Sequence, residues 1–448
     1  MAPGAWKETK KMHLLNRHRG KAALAVAAAA AVALTACGGD GDGGSGDDDK
    51  IKLTVSMFGT LGFVDAGLEE AYEAEHPDID VVLDGDGIEF EKEYRPAVEA
   101  ALQAGSGAAD VIAMDEQAMA QMMAQSDYWA DLSEYGYDER ASDYPQWKWD
   151  LGHTADGKLA GFGTDVGGMG MCYRTDLFDA AGLPTDREEV AAAWADWDGF
   201  AEVAQTFVDS GVDAEFLDSP TQLQNMLLGQ LAGQGDGQMY VDAEGNLTLD
   251  SAAAQESINT IIELNEMGAI GSFTSWSDEW NTAQAEGGYA VMPCPSWMLG
   301  TVKGNAGADN EGNWDFAAAP GTYGNWGGSW LLVPAQSPHP EEAAELAAWL
   351  TAPEQQVTLF EAVNTFPSTL EGAAEVADYS DPYFNDAPVG EIISNSVAEF
   401  PPLEYTELHP SVKGAVENVL NGLADGTYSA DEVWDVITSE AENAVALG

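Results

Sequence analysis

Apolar residues in the first part of the folded chain recur at two spacings, which predict strands alternating with helices. Residues 52–58 alternate apolar and polar side chains and are rich in β-formers, so they predict a strand. Leu68 and Tyr72 keep the spacing of a helix face, and apolar runs at 80–83 and 110–114 predict two further strands. This alternation predicts an α/β fold with parallel strand pairing through right-handed crossovers.

The same two spacings continue to the end of the chain. Helices are predicted over 194–210, 221–233, 251–268, 341–350 and 354–363, and strands over 247–250, 289–292 and 330–333. Two helices are predicted at the carboxyl end, and Ser429 and Glu432 have the spacing of a capping box at the start of the last one.

Two glycine-rich passages, at 161–168 and 321–328, interrupt this pattern. The first leads into a strand in which Met169 and Tyr173 share one face. Because glycine has no Cβ, such segments can cross between structural units or approach a ligand closely. An irregular bend at Phe366-Pro367 predicts a third crossing.

The length of the chain, 448 residues, favours two domains rather than a single core. In parallel α/β sheets, ligands bind beyond the carboxyl ends of the strands. This rule selects Phe58 after the first strand, and Asp115 and Glu116 after the third, as residues of a cleft.

The N-terminus has the layout of an export signal. Basic residues from Lys7 to Lys21 precede an alanine-rich apolar run at 22–34, which is short for a permanent membrane span. Residues 1–36 are therefore predicted to be a signal peptide. The Gly/Asp-rich stretch through residue 50 cannot bury apolar surface and predicts a flexible linker.

Acidic residues dominate the charge of the chain. There are 77 Asp and Glu against 17 Lys and Arg, and the formal net charge is −60. Nucleic acid is excluded as a partner because phosphates are bound by basic patches. A strongly acidic surface instead suits solubility where salt screens charge. Without clustered His and Cys ligands, the sequence predicts no metal site, and it predicts no cofactor.

The three cysteines have different surroundings. Cys37 follows Leu34-Thr35-Ala36 and so resembles the lipobox of bacterial lipoproteins, where the signal is cut before a cysteine that carries lipid. The resemblance implies export and a lipid anchor on Cys37 at the outer face of the cytoplasmic membrane. Cys172 and Cys294 form either a disulfide or two buried thiols, and both alternatives stay open.

Longer segments resemble the extracellular solute-binding proteins of bacterial ABC importers, of the sugar-binding (family 1) type. The similarity lies in KLTVSMFGTLG, GSGAADVIAMDE, GKLAGFGTDVGGMGMCYRTDLFDAAGLP, AEGGYAVMPCPSWMLG and GGSWLLVPAQSPHPEEAAELAAWLTAPEQQ. The resemblance implies a type II periplasmic-binding-protein-like fold with the ligand cleft between two lobes. Lobe one would take 51–160 plus 327–367, and lobe two 161–326 plus 368–448, joined at the three crossings.

The same resemblance implies a monomeric receptor that closes over a sugar and delivers it to ABC permease subunits. Sugars need flat aromatic faces for stacking and charged acceptors for their hydroxyls, and several tryptophans favour a di- or oligosaccharide. The predicted ligand-binding residues are Phe58, Asp115, Glu116, Asp165, Trp276, Trp280, Trp297, Trp326, Trp330 and Tyr405.

Two other functions fit parts of the sequence. A receptor for a polyamine or peptide would use the same architecture, and acidic groups beside aromatics suit a polyamine. An exported glycoside hydrolase would need paired carboxylates, but such pairs occur throughout this acidic chain and carry no weight. No Gly-x-Ser-x-Gly elbow or His-Glu-x-x-His helix is present, so we predict a binding protein rather than an enzyme.

Overall fold

Two β-sheets with helices packed around them form the part of the chain that the computed structural model describes, residues 50–85, 87–235, 237–321, 323–398 and 403–447. The predicted signal peptide, Cys37 and the predicted linker up to residue 49 lie outside the described residues. Within those ranges, no helix combines the length and the apolar character needed to cross a membrane.

The first sheet has five strands in the order β2-β1-β3-β9-β4. These strands are β1 (Ile51–Ser56), β2 (Ile79–Asp84), β3 (Val111–Asp115), β4 (Gly161–Gly163) and β9 (Ser329–Leu332). The predicted parallel pairing is confirmed for β1 with β2 and with β3. It is wrong for β9, which pairs antiparallel with both β3 and β4.

The second sheet has the order β6-β7-β5-β8. Its strands are β5 (Met169–Arg174), β6 (Glu215–Leu217), β7 (Tyr289–Pro295) and β8 (Trp314–Ala318). Only β6 and β7 are parallel, and β5 is antiparallel to both of its neighbours. A disulfide between Cys172 and Cys294 joins β5 to β7, which resolves the alternative that the sequence leaves open.

Seventeen α-helices surround the sheets in the described ranges. They are α1 (Leu68–Glu75), α2 (Arg95–Ala104), α3 (Glu116–Met123), α4 (Gln146–Asp150), α5 (Thr175–Ala181), α6 (Arg187–Ala193), α7 (Trp197–Ser210), α8 (Pro220–Gln234), α9 (Ala252–Glu266), α10 (Asp278–Glu286), α11 (Ser296–Ala306), α12 (Pro340–Leu350), α13 (Pro353–Val363), α14 (Leu370–Glu375), α15 (Val389–Ala398), α16 (His409–Ala424) and α17 (Ala430–Leu447). A π-helical turn at Phe90–Tyr94 and several short 3₁₀ segments complete the secondary structure.

Local sequence signals explain several helix boundaries. α7 starts at Trp197 rather than at 194, because the Asp196 carboxylate caps it by accepting from the Gly199 N–H at 2.8 Å. The Glu432 carboxylate accepts from the backbone N–H and the hydroxyl of Ser429, which confirms the capping box.

The strand predicted at 247–250 is wrong. Leu247 makes only an isolated bridge to Val241, across a tight turn closed by the Asp242 carboxylate, which accepts from the backbone N–H and the side-chain amide of Asn246. The turn leaves too few residues for a ladder of strand-to-strand hydrogen bonds. Leu247 and Leu249 therefore pack against the core without joining a sheet.

Each sheet has its own apolar core. Val55, Val111 and Leu331 lie in a cluster on one side of the first sheet, whereas Met171 and Val291 belong to a cluster of the second sheet. On the other side of the second sheet, Cys172, Cys294 and Phe316 pack with helix residues in a separate cluster. The described chain therefore has a two-lobed α/β architecture built on two sheets.

Candidate functional site

Three chain segments, residues 164–168, residues 319–328 and the bend at Phe366, lie side by side between the sheets. Residues 164–168 lead from β4 in the first sheet to β5 in the second, and residues 319–328 return from β8 to β9. The Trp326 N–H donates to the Gly167 carbonyl at 2.8 Å, and the Val166 N–H donates to the Phe366 carbonyl at 3.0 Å. The first predicted crossing is thus hydrogen-bonded to each of the other two.

Glycine is required where these segments touch. A Cβ on Gly167 would overlap the carbonyl oxygen of Trp326, so a larger residue would push the first two crossings apart. The Asn325 side chain spans the same contact, since its Oδ1 accepts from the Gly167 N–H at 2.9 Å. The glycine-rich sequence predicts a crossing here, and Gly167 allows the close backbone-to-backbone contact within it.

Two of the predicted ligand residues, Asp165 and Glu116, fasten these crossings, and each is only 3% exposed. The Asp165 carboxylate accepts from the Ser329 N–H at 2.8 Å and from the Thr164 hydroxyl at 2.5 Å. The Glu116 carboxyl accepts from the Asn325 amide at 2.8 Å. Their hydrogen bonds go to other residues of the protein, so both side chains stabilise the crossings.

A buried lysine, which the sequence prediction missed, lies among these acids. Lys148 is 0% exposed, and its ammonium lies 3.3 Å from the centroid of the Trp330 ring, a cation–π contact. Within the described chain, its Nζ has no hydrogen-bond partner. The available sequence signal is a lysine between two tryptophans, at 147 and 149, in a chain with few basic residues.

Burial shifts the ionisation of this group of residues. Burial raises the pKa of Asp115 to about 6, although the bond from the Gln117 N–H and the charge of Lys413 lower it. Burial raises the pKa of Glu116 to about 8, against the lowering effect of Lys148. Burial also lowers the pKa of Lys148 to about 8, against the carboxylates that favour its charged form. Burial thus raises the pKa of Glu116 further than that of Asp115, so Asp115 is the member of the adjacent pair that ionises first.

Asp115 and the nitrogen edge of Trp297 both lie beside Gly327. A Cβ built on Gly327 would lie 3.6 Å from Asp115 Oδ2 and 3.5 Å from Trp297 Nε1. Gly327 has a φ of 80°, a conformation that favours glycine. A carboxylate oxygen and an indole thus lie close together beside a stretch of backbone that carries no side chain.

Three tryptophans from separate parts of the sequence form one aromatic surface here. The Trp297 and Trp276 rings are stacked with centroids 5.8 Å apart, and the Trp326 ring meets Trp297 edge-on at 5.7 Å. The Trp297 indole N–H donates to the Trp326 carbonyl at 3.1 Å, which fixes its ring against the second crossing. Trp276 is 47% exposed, which is unusual for so large an apolar side chain.

Helix α16 and the residues before it bring further groups to this region. Burial and the charges of Glu116 and Asp115 raise the pKa of the Tyr405 phenol well above its usual value, so Tyr405 lies close to both acids. Burial lowers the pKa of Lys413, but the carboxylates of Glu417, Glu91 and Asp115 outweigh it and leave the pKa raised. Sequence reasoning missed Lys413, which has no distinguishing local pattern.

Phe58 stands at the end of β1 in an aromatic group. It packs against Phe90 at 4.5 Å and Tyr94 at 5.4 Å and is partly buried. The Tyr94 hydroxyl in turn donates to the Ala113 carbonyl in β3 at 2.9 Å. Phe58 therefore lies at the carboxyl end of the first sheet, as the strand-end rule predicts.

Trp280 and Trp330 are the two predicted ligand residues that the structure places in the core. Both are 0% exposed. The Trp280 indole N–H donates to the Asp218 carboxylate at 2.8 Å, and that of Trp330 donates to the Lys148 carbonyl at 3.2 Å. The prediction of a ligand-facing ring is corrected for both, because their faces are covered by protein.

Two surface depressions lie elsewhere on the described chain. A cleft of about 800 Å³ beside β8 is lined by Arg187, Asp315 and Glu391 among other residues, and one of about 250 Å³ lies near Met119. Neither is lined by a predicted ligand residue. In the larger one, Arg187 already pairs with Asp315 at 2.8 Å, so cavity size does not identify the functional site.

Comparisons with known proteins agree with this architecture. A family model described as bacterial extracellular solute-binding protein matches residues 68–386. The lactose-binding protein of Rhizobium radiobacter is 27% identical over 393 residues, which cover 83% of this chain and 87% of that protein. A crystal structure described as extracellular solute-binding protein family 1 is 35% identical with a TM-score of 0.76, covering 88% of this chain and all (100%) of the other.

A more distant structure shares the fold. The galacto-N-biose-/lacto-N-biose I-binding protein of the ABC transporter from Bifidobacterium longum, in complex with lacto-N-biose, has a TM-score of 0.73 at 16% identity. The alignment covers 90% of this chain and 98% of that structure. At this identity the likeness concerns the arrangement of the two sheets and their helices.

The buried Glu116 predicts a pH-dependent stability difference. A carboxyl whose pKa is raised by folding, here from 4.5 to about 8, contributes stability that is complete below pH 4.5 and is lost as the pH rises through 8. The substitution Glu116→Gln removes this loss and keeps an acceptor for Asn325. Measured by urea unfolding, the free energy of unfolding of the variant relative to that of the native protein should increase by on the order of 2 kcal/mol from pH 5 to pH 8.

The exposed Glu202 on α7 offers a matched control, because Glu202→Gln should leave the pH profile of unfolding unchanged. A constant difference between Glu116→Gln and the native protein across this pH range would show that Glu116 is ionised in the folded state throughout.

Proposed function

Because the chain belongs to the bacterial extracellular solute-binding proteins, we propose that it captures a di- or oligosaccharide between its lobes for an ABC importer. The observation that carries this proposal is that the Asp115 carboxylate and the Trp297 indole lie close together beside Gly327. A pyranose ring has an apolar C–H face that stacks on an indole and hydroxyls that donate to a carboxylate. Both needs are met within one ring's width.

The relatives supply the class of solute. The curated relative binds lactose by its name, and the Bifidobacterium longum structure holds lacto-N-biose, both disaccharides. The aromatic surface of Trp276, Trp297 and Trp326 suits a ligand of more than one ring, because each exposed indole face can take one. Phe58 and Tyr405 would border the same ligand from the side of β1 and of α16.

Charge balance favours a neutral ligand over a polyamine. Lys148 and Lys413 both interact electrostatically with Asp115, so two ammonium groups already compensate negative charge in this region. A polycation would have to displace or tolerate these ammonium groups at close range. A polyhydroxylated neutral sugar meets the same acceptors without that repulsion.

Binding would be coupled to a hinge at the three crossings. The sequence prediction starts lobe two at residue 161, but β4 (Gly161–Gly163) pairs with β9 in the first sheet. We therefore assign residues 51–163 plus 327–367 to lobe one and 164–326 plus 368–448 to lobe two. Backbone rotation within 164–168, 319–328 and 364–369 would then close Trp297 on lobe two over Asp115 on lobe one. The closed form would be the one that the permease subunits recognise, and a monomer suffices for this cycle. No catalytic residue is assigned.

The family is extracellular, so the protein is exported. We further propose that residues 1–36 are the signal peptide and that Cys37 carries the lipid anchor, with residues up to 50 as the tether. Cys172 and Cys294 are joined in a disulfide, which leaves Cys37 as the only one of the three cysteines with a thiol to modify.

The proposal is tested by titrating the chain that begins after Cys37 with glucose, galactose, lactose, maltose, maltotriose and spermidine, followed by tryptophan fluorescence at low and high salt. A saturable change with a di- or trisaccharide that persists in high salt is expected, because sugar binding is not driven by charge. A response to spermidine alone, abolished by salt, would instead identify a polyamine receptor.

The variant Asp115→Asn should weaken sugar binding roughly 10- to 100-fold, because the ligand loses a charged acceptor. Asparagine caps helices as well as aspartate, so α3 should keep its stability. Asp196→Asn, at the cap of α7, is the matched control and should bind as the native protein does. Equal affinities for the Asp115 variant and the control would remove Asp115 from the site.

The variant Gly327→Ala should abolish sugar binding, since its methyl group would fill the space between Asp115 and Trp297. Gly321→Ala is the control, because Gly321 lies in the same crossing with a similar φ of 74° and its Cβ would approach only Gln230. Calorimetric titration of both variants separates occlusion of the site from backbone strain. Equal losses in the two variants would mean that strain alone accounts for the effect.

The variant Cys37→Ala should lack lipid and appear in the culture medium instead of the membrane fraction. Labelling with a fatty-acid analogue in the producing bacterium, followed by fractionation, measures both effects. Cys172→Ala is the control and should still take up the label. Label on the Cys37→Ala variant would rule out lipidation at this residue.

A further inference from the structure

Trp276 has a backbone conformation that its residue type disfavours. Its φ is 71°, in the left-handed region where side chains with a Cβ are strained. The Ser277 N–H donates to the Thr274 carbonyl at 3.1 Å, so residues 274–277 form a turn with Trp276 at its third position. Turns with a positive φ at that position normally place glycine there. A tryptophan in this position indicates that its side chain is held there for a purpose.

The serine on each side of Trp276 is anchored. The Ser277 side chain caps α10 by accepting from the Trp280 N–H at 3.2 Å. The Ser275 hydroxyl accepts from the Gln222 amide at 3.1 Å and shares a hydrogen bond with the Ser219 hydroxyl at 3.3 Å. With both neighbours fixed, the Trp276 backbone has little freedom to relax.

The residues that anchor Ser275 belong to a polar cluster after β6. Asp218 and Ser219 are 0% exposed and Gln222 is 1% exposed. The Asp218 carboxylate accepts from the Ser219 hydroxyl at 3.3 Å and from the Trp280 indole at 2.8 Å. Burying an aspartate is costly, and burial raises its pKa to about 7. Such a cluster gives the chain no hydrophobic stabilisation, so its value must lie in what it positions.

The result of this anchoring is the outer part of the aromatic surface. The Trp276 ring stacks on Trp297, with an angle of 27° between the rings, and remains 47% exposed. Trp276 is therefore the more exposed member of the stacked pair. A ligand that contacts Trp297 would meet the free surface of Trp276 with a further ring.

We propose that Asp218, Ser219 and Gln222 are positioning residues, which act through Ser275 to hold Trp276 as a preformed stacking surface for the outer ring of an oligosaccharide. This inference rests on the proposed function for the nature of the ligand. The positioning itself is a property of the free protein. Preorganisation of this kind increases affinity because the ring need not be ordered at the moment of binding.

The first test uses the ligand-free protein and so does not depend on sugar binding. Neighbouring indoles give a coupled near-ultraviolet circular dichroism signal, and Trp276→Ala should remove the part that comes from the contacts of Trp276 with Trp280 and Trp297. Ser275→Ala and Gln222→Met should each lose most of the same signal, whereas Ser275→Thr, which keeps the hydroxyl, should retain it. Ser272→Ala, an exposed serine in the same loop, is the control. An unchanged signal in folded Ser275→Ala and Gln222→Met would overturn the proposal.

The second test is a double-mutant cycle on affinity for whichever of lactose, maltose and maltotriose saturates the fluorescence. Ser275→Ala should weaken binding roughly tenfold in the native background and not at all in the Trp276→Ala background. Equal losses in the two backgrounds would show that Ser275 does not act through Trp276. If none of the three sugars binds, the proposed function fails, while the dichroism still decides the positioning role.

A third variant, Trp276→Gly, separates strain from function. Trp276→Gly and Trp276→Ala both lose the indole, but only glycine adopts the left-handed conformation without strain, so the glycine variant should have the higher thermal unfolding midpoint. A lower midpoint for the glycine variant than for the alanine variant would show that the backbone at 276 is not strained.

Discussion

The structure depends on the contact between the first two crossings, where Gly167 meets Trp326 and Asn325. The two hydrogen bonds at Gly167 join segments that are far apart in sequence and that connect the two sheets in opposite directions. The crossings therefore connect the two sheets, and an apolar cluster that packs Phe360 and Phe366 against Phe316 of the second sheet adds to this connection. Any residue with a Cβ at 167 would separate the two segments, so the constraint on this position is steric.

Charge is concentrated at this same contact. Asp165, Glu116 and Lys148 are almost completely buried beside the crossings, in a protein whose other acids are mostly at the surface. Buried ionisable groups rarely add net stability, but the loss of one partner leaves the others uncompensated. The arrangement therefore resists substitution, and Asp115 lies at the edge of this cluster. Trp297, in the first turn of α11, and Trp276, before α10, would supply the apolar half of the proposed site.

Two kinds of preorganisation meet in this site. Asp115 is held because it caps α3 through the Gln117 N–H, so its position follows from the helix. Trp276 is held against its own backbone preference by anchored serines. The first is a by-product of ordinary secondary structure, whereas the second costs strain and a buried aspartate. Binding sites commonly carry such strain where a side chain must face solvent in one orientation.

The sequence by itself determined the local and the covalent features. Apolar spacing predicted the first three strands and their parallel order, caps predicted helix starts, and the glycine-rich passages predicted the crossings. The strand-end rule found Asp115 and Phe58, because parallel strands deliver their carboxyl ends to one edge. These features depend on neighbours within a few residues, or on a rule of topology that needs no coordinates.

Only the tertiary structure decided which side chains face the ligand region. Trp280 and Trp330 are as prominent in the sequence as Trp276 and Trp297, yet they are covered by Asp218 and by Lys148. Asp165 and Glu116 resemble exposed acids in sequence, but partners from distant segments bury them. Burial is set by contacts between residues far apart in the chain, and no local pattern records those contacts. The same reason explains why Lys148 and the pairing of Cys172 with Cys294 emerged only from the folded chain.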